Sequence, residues 1–194
     1  MASIPADSPQ VSVKSGRVKA ARRLARRVSR AETRLFLAEG PQAVREALDL
    51  PGCVAEVFAV PGAAESHPDI RGRAEEQDVA WHLVDDAALA SLTETVHPQG
   101  LVAVCRFLDR PLVDVLPEGE GASLVAVCAD VRDPGNAGTV IRCADAAGAT
   151  AVVLTGSSVD PYNGKAVRAS VGSLFHLGLA VAPDTAAVIA ELQA

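Results

Sequence analysis

Asn136, Gly138 and Arg142 stand together, and Asp160, Asn163, Lys165, Arg168 and Ser170 follow after a short interval, in a stretch otherwise rich in alanine and valine. Two amides, two guanidinium groups, an ammonium and a hydroxyl suit an anionic ligand that carries hydroxyls, as a nucleotide does. Asn136, near a helix start, can offer its amide to a ribose hydroxyl or a phosphate beside free backbone N–H groups. Lys165 and Arg168 are three apart, share a helical face and make a reasonable anion clamp. Gly138 lies on the face of Arg142, one turn earlier, where a glycine costs roughly 0.5–1 kcal/mol relative to alanine. The spacing predicts that it clears room beside the arginine for a ligand or a partner backbone.

Strand, helix and strand must position these groups. The apolar run Ser123 to Ala129 (SLVAVCA) reads as a strand. Asp133-Pro134-Gly135-Asn136 breaks it and supplies candidate caps. Ala137 to Ala147 is helix-compatible, Gly148 is placed to end that helix in a left-handed turn, and Ala151 to Leu154 is a second strand. The result is a right-handed parallel βαβ unit. Its two loops, carrying Asp133, Asn136 and Arg142, and Ser157, Asp160, Asn163, Lys165 and Arg168, leave the carboxyl ends of neighbouring strands, where ligands of open α/β sheets bind.

The chain of 194 residues has room for one large domain or two small ones. With 49% hydrophobic and 3% aromatic residues, its core is expected to be alanine, valine and leucine. No apolar stretch approaches a membrane span and the N-terminus lacks a signal-peptide order, so no membrane partner and a cytoplasmic location are expected. Cys53, Cys105, Cys128 and Cys143 form no CxxC pair and read as buried free thiols in a reducing compartment. His67, His82, His97 and His176 show no ligand spacing, and no metal is expected. His176 and Trp81 read as core residues.

Charge is segregated. The chain carries 18 Lys/Arg and 24 Asp/Glu, a net of −6, yet nine of the basic residues fall in positions 1–34 against only Asp7 and Glu32. A basic docking element on an acidic body is implied, with nucleic acid as the partner. Residues 1–12 read as a mobile tail and 13–31 as a single basic helix whose Arg22, Arg23, Arg26, Arg27 and Arg30 contact RNA. A small α/β domain follows to residue 107, with strands at 35–37, 54–60, 79–84 and 101–107 and helices through Leu48, at 63–77 and at 85–92. Residues 108–122, with two prolines and two glycines, read as the linker. Residues 123–194 form the second domain, and Pro183-Asp184-Thr185 caps its last helix.

Asn136-x-Gly138-x-x-x-Arg142 followed by Asp160-Pro161-x-x-x-Lys165-x-x-Arg168-Ala169-Ser170-x-Gly172 resembles the first half of the SpoU, or TrmH-type, branch of the SPOUT RNA methyltransferases. Arg34-Leu35-Phe36-Leu37-Ala38-Glu39-Gly40 and His97-Pro98-Gln99-Gly100-Leu101-Val102-Ala103-Val104 resemble the L30e-like substrate-binding domain that often precedes it. The fold class implied is α/β: an L30e-like domain, then the first half of a parallel-sheet SPOUT domain. The chain stops at Ala194, before the family's C-terminal cofactor loop and trefoil knot. The knot region is therefore expected to be absent and the S-adenosylmethionine pocket incomplete, with no cofactor-binding residue assigned.

The resemblance implies methyl transfer from S-adenosylmethionine to a ribose 2′-hydroxyl, of ribosomal rather than transfer RNA, by a homodimer when full length. It assigns Arg142 and Asn136 as catalytic residues and Arg168, Ser170 and Lys165 to substrate. Taken singly, Asn136 is better read as a helix cap and Arg142 as a surface partner for a residue such as Asp145 or Asp133; the two motifs in register reverse that order. Two other readings stand beside this one: a non-catalytic RNA-binding protein, and an unrelated nucleotide-binding α/β enzyme, against which the lack of a G-x-G-x-x-G or P-loop pattern speaks.

Overall fold

A computed structural model describes residues 10–116 and 123–193, in two units, 1–107 and 108–194. In the first unit the elements are α1 (Gly16–Arg23), α2 (Arg27–Thr33), β1 (Leu35–Glu39), α3 (Pro41–Asp49), β2 (Val54–Ala59), α4 (Pro61–Ser66), α5 (Pro68–Glu76), β3 (Ala80–Leu83), α6 (Asp86–Ala90) and β4 (Leu101–Arg106). The sheet order is β1-β4-β2-β3; β4 runs antiparallel to both of its neighbours and β2 parallel to β3. Pro41, Pro61 and Pro68 each open a helix, where the missing N–H costs nothing. Pro68 also divides the helix expected over 63–77, because it has no N–H to continue a ladder begun upstream. Val11 pairs with Val84, so this part of the expected tail is held against the strand edge; residues 1–9 lie outside the described residues.

The basic segment differs from expectation in one respect that matters. It forms two helices joined at Leu24-Ala25-Arg26, not one. Val18, Ala21 and Leu24 are buried against Leu37, Phe58, Val84, Leu89 and Val104, so the apolar stripe of α1 serves the core. Arg30 is only 3% exposed, and its guanidinium donates to the carbonyls of Leu24 (2.8 Å) and Ala25 (2.9 Å). These carbonyls lose their helical partners where α1 ends, and a side chain from the next helix satisfies them. Arg30 is therefore a strut of the elbow and not an RNA contact. Arg30→Met is expected to lower the stability of the chain by about 1.5–3 kcal/mol, the range for lost hydrogen bonds to a charged group. A urea unfolding midpoint measures this; an unchanged midpoint would remove the strut.

In the second unit α7 (Leu112–Val115), β5 (Val125–Ala129), α8 (Pro134–Ala146), β6 (Ala151–Thr155), α9 (Gly164–Ser170), a 3-10 turn (Ser173–Phe175), β7 (Gly178–Ala182) and α10 (Thr185–Leu192) follow in order. The three strands are parallel, in the order β5-β6-β7. Leu112 and Val115 pack with Ala151, Val153, Ala180 and Val188, and Asp109 bridges to Leu179. Residues 108–116, expected as linker, thus belong to this unit; 117–122 lie outside the described residues. Asp184 caps α10 by accepting from the N–H groups of Ala186 and Ala187. Among the described residues no helix is long and apolar enough to cross a membrane.

Candidate active site

Two loops at the carboxyl ends of β5 and β6 are laced together. Asp130, at φ 54°, accepts from Ser157 N at 2.8 Å. The Ser158 hydroxyl accepts from Val131 N (3.1 Å) and donates to the Thr155 carbonyl (2.6 Å). Val159 N donates to the Val131 carbonyl. Behind them the buried Thr155 hydroxyl accepts from Thr185 at the start of α10, at 2.7 Å. The net fixes where α8 and α9 begin.

Asp133 caps α8 through the N–H of Asn136 (2.9 Å) and accepts from Lys165 Nζ (2.9 Å). The Lys165 ammonium, with the Asn136 N–H, holds the Asp133 carboxyl below the usual carboxylate range. The anion clamp expected of Lys165 and Arg168 is accordingly divided: Lys165 ties α9 to the loop that opens α8, and Arg168 stands half-buried on α9. Asn163 caps α9 by accepting from Lys165 N, and Asp160 accepts from Tyr162 N.

Gly138 marks the crossing of α8 and α9. A Cβ there would stand 2.7 Å from Ala169 Cβ and 2.9 Å from Ser170 N, and closer still to the Ala166 carbonyl oxygen. The backbone for which the glycine makes room is that of α9 itself. This packing buries Ser170, whose hydroxyl donates to the Val167 carbonyl at 2.8 Å. Ser170 is consequently part of the helix seam and does not face a ligand. Asn136 and Arg142 remain exposed on α8. The two nearby acids are taken, Asp133 by Lys165 and Asp145 by His176. Arg142 has no carboxylate partner among the described residues. Side chains on a helix lean towards its N-terminus, so Arg142 leans towards Asn136 and the carboxyl edge of the sheet.

Two residues, His176 and Cys143, differ from the sequence reading, and a third, Tyr162, is one it did not single out. Tyr162, buried, donates its hydroxyl to Asp109 (2.6 Å) and accepts from the N–H groups of Leu108 and Asp109 (2.7 Å each). Burial, then the Asp109 carboxylate, push this phenol well above its ordinary pKa. It anchors the loop that precedes α9 to the start of the unit. The signal was present: the chain's one tyrosine directly follows Pro161. His176 is exposed and pairs with Asp145 at 2.8 Å instead of entering the core. Burial lifts the Asp145 carboxyl, but bonds from Ser173 and His176 hold it below the usual range. Cys143 is an exposed thiol on α8, unlike buried Cys53, Cys105 and Cys128.

Arg22 and Arg23 end α1, Arg26 lies in the elbow and Arg27 opens α2; all four are exposed. Among the described residues no cluster of three or more His, Cys, Asp or Glu is placed to hold a metal. As for an organic cofactor, the exposed side chains here are Asp130, Arg132, Asp133, Asn136, Arg142, Ser157 and Lys165, of which Asp130 accepts from Ser157 N and Asp133 from Lys165. This set fits phosphate and ribose.

Residues 123–194 match the SpoU rRNA Methylase family and residues 16–103 the MRM3-like substrate binding domain. The chain is 37% identical over 166 residues to the 23S rRNA (guanosine(2553)-2′-O)-methyltransferase RlmP of Bacillus subtilis, covering 86% of this chain and 62% of that protein. It thus spans less than two thirds of that relative's length. It is 33% identical over 88 residues to human mitochondrial rRNA methyltransferase 3, covering 44% of this chain and 21% of that one. Among solved structures, the AdoMet-bound rRNA methyltransferase from Sinorhizobium meliloti superposes with a TM-score of 0.82 at 33% identity, covering 96% of this chain and 69% of that one. The SpoU methyltransferase AviRb of Streptomyces viridochromogenes, in complex with AdoMet, gives 0.80 at 26% identity, covering 93% and 68%.

Proposed function

The chain belongs to the SpoU rRNA methylase family, and from that premise we propose that it acts in ribose 2′-O-methylation of ribosomal RNA, with S-adenosylmethionine as the methyl donor. The observation that carries this reading is the pair of exposed groups on α8, Asn136 and Arg142, at the carboxyl-edge loop net, with no carboxylate paired to the arginine among the described residues. The relatives named for ribosomal RNA favour that substrate over transfer RNA.

A ribose 2′-hydroxyl is a weak nucleophile and must be held in line and relieved of its proton. A guanidinium remains protonated at any working pH, so Arg142 does not act as a plain base. It binds the phosphate next to the target ribose and orients the hydroxyl, and that phosphate can take the proton. Asn136 holds the same nucleotide by its amide, and Arg168, from α9, adds positive charge. Lys165 acts one step removed, through Asp133. The donor supplies an electrophilic methyl group; the residues described here serve the RNA side. The protein is expected to work as a homodimer.

One observation favours a second reading, a non-catalytic RNA-binding protein: the exposed Lys19, Arg22, Arg23 and Arg26 of the first unit can bind RNA without any cofactor. Transfer of tritium from labelled S-adenosylmethionine to unmodified ribosomal RNA by the complete gene product separates the two. Label recovered as 2′-O-methylnucleoside after digestion is expected. Label in a base, or RNA binding without transfer, would overturn the proposal.

A further inference from the structure

The elbow between α1 and α2 encloses a pocket of about 400 Å³ lined by Lys19, Arg22, Arg23, Ala25 and Arg26. We propose that it is a phosphate cradle that grips the backbone of the RNA substrate without reading its bases. The inference rests on the reading of the chain as an RNA-acting protein, and it assigns a task to one face of the first unit.

Four cations line one pocket, and no acidic side chain does. None of the four has a carboxylate partner among the described residues. The nearby Arg17 is engaged by Glu56 and stands apart. Lys19 and Arg23 are four apart on α1, a spacing at which like charges repel, and Arg22 and Arg26 line the same pocket. An anion between them relieves that repulsion. The end of a helix is ordinarily the wrong pole for a phosphate. Here buried Arg30 occupies the carbonyls of Leu24 and Ala25, which neutralises the pole and places a fifth positive charge behind the pocket. The lining holds no aromatic ring to stack on a base and no amide or carboxylate to read a base edge, so its contacts position the RNA and carry no sequence information.

A membrane surface is the competing anionic partner. The apolar residues of α1, Val18, Ala21 and Leu24, are consumed by the core. Only Val28, 68% exposed, is left to insert, and one valine does not hold a helix in a bilayer.

The test is the salt dependence of binding to a 5′-fluorescein RNA hairpin, read by anisotropy between about 50 and 300 mM KCl. Each duplex phosphate contact contributes about 0.9 to the slope of log K against log salt. The variant Lys19→Gln/Arg22→Gln/Arg23→Gln/Arg26→Gln is expected to flatten the slope by about 2–3 and to weaken binding more than tenfold, equally for hairpins of different sequence. The double variant Arg22→Gln/Arg26→Gln, expected to give about half of the slope change, guards against misfolding of the quadruple one. An unchanged slope with tight binding by both proteins would overturn the cradle and leave the RNA reading standing. Failure of the unaltered chain to bind the hairpin would overturn both. Binding to phosphatidylserine vesicles that the hairpin cannot displace would overturn the cradle in favour of a membrane surface.

Discussion

Replacing Arg142 by lysine in the complete gene product is expected to lower kcat for methyl transfer by about a hundredfold to a thousandfold, the usual loss when one transition-state donor is removed. Lysine keeps the charge, so a role limited to attracting RNA would survive the change. What lysine lacks is the planar fork that can hold a phosphate and orient a hydroxyl together. The fold has no stake in the side chain: Arg142 is exposed, and Asp133 and Asp145 are already paired with Lys165 and His176. Thermal melting of the variant should therefore match that of the parent. Retained turnover would remove Arg142 from the reaction, and a lowered melting temperature would make it a structural residue.

The second large effect concerns Gly138. Glycine to alanine inside a helix ordinarily stabilises by roughly 0.5–1 kcal/mol. Gly138→Ala should do the reverse, because its Cβ would meet Ala169 Cβ at 2.7 Å and Ser170 N at 2.9 Å, and a neighbouring helix backbone cannot yield as a flexible side chain can. Overpacking of this kind costs about 1–3 kcal/mol, which exceeds the propensity gain. Gly72 in α5 is the control: nothing lies within 4 Å of its added Cβ, so Gly72→Ala should raise stability by the propensity term alone. Urea unfolding of the two variants reads the signs. If both rise, the contact between α8 and α9 is looser than described. Because α9 carries Arg168, Gly138→Ala should also weaken methyl transfer.

Local signals made much of this site legible in the sequence. Asp133, Pro134 and Gly148 bracket α8 by capping, fixed φ and a left-handed turn (φ +76° at Gly148), all within the reach of neighbouring residues. The apolar runs of β5 and β6 are short and bounded, and their pairing in parallel follows from the intervening helix. The misses have a common cause, which is that the deciding partner is distant in sequence or competes with a pattern. Nothing at Leu24 or Ala25 opposes a helix; the elbow shows only through Arg30, which reaches back across it. Helix α7 is four residues long, too short for a periodic signal, and its membership of the second unit is set by contacts with β6 and β7. Ser170 was assigned to substrate by its motif, whereas the close approach at Gly138 turns its hydroxyl inward. His176 sits among apolar letters, yet Asp145, a helix away, draws it to the surface.

We propose that Arg142 presents a ribosomal RNA ribose for 2′-O-methylation. Mass-spectrometric analysis of ribosomal RNA from cells lacking the gene tests it most directly, with the wild-type gene or its Arg142→Ala allele restored on a plasmid. One 2′-O-methylnucleoside is expected to vanish on deletion, return with the wild type and stay absent with the variant. Full 2′-O-methylation in the deleted strain, or its return with Arg142→Ala, would take this role from Arg142.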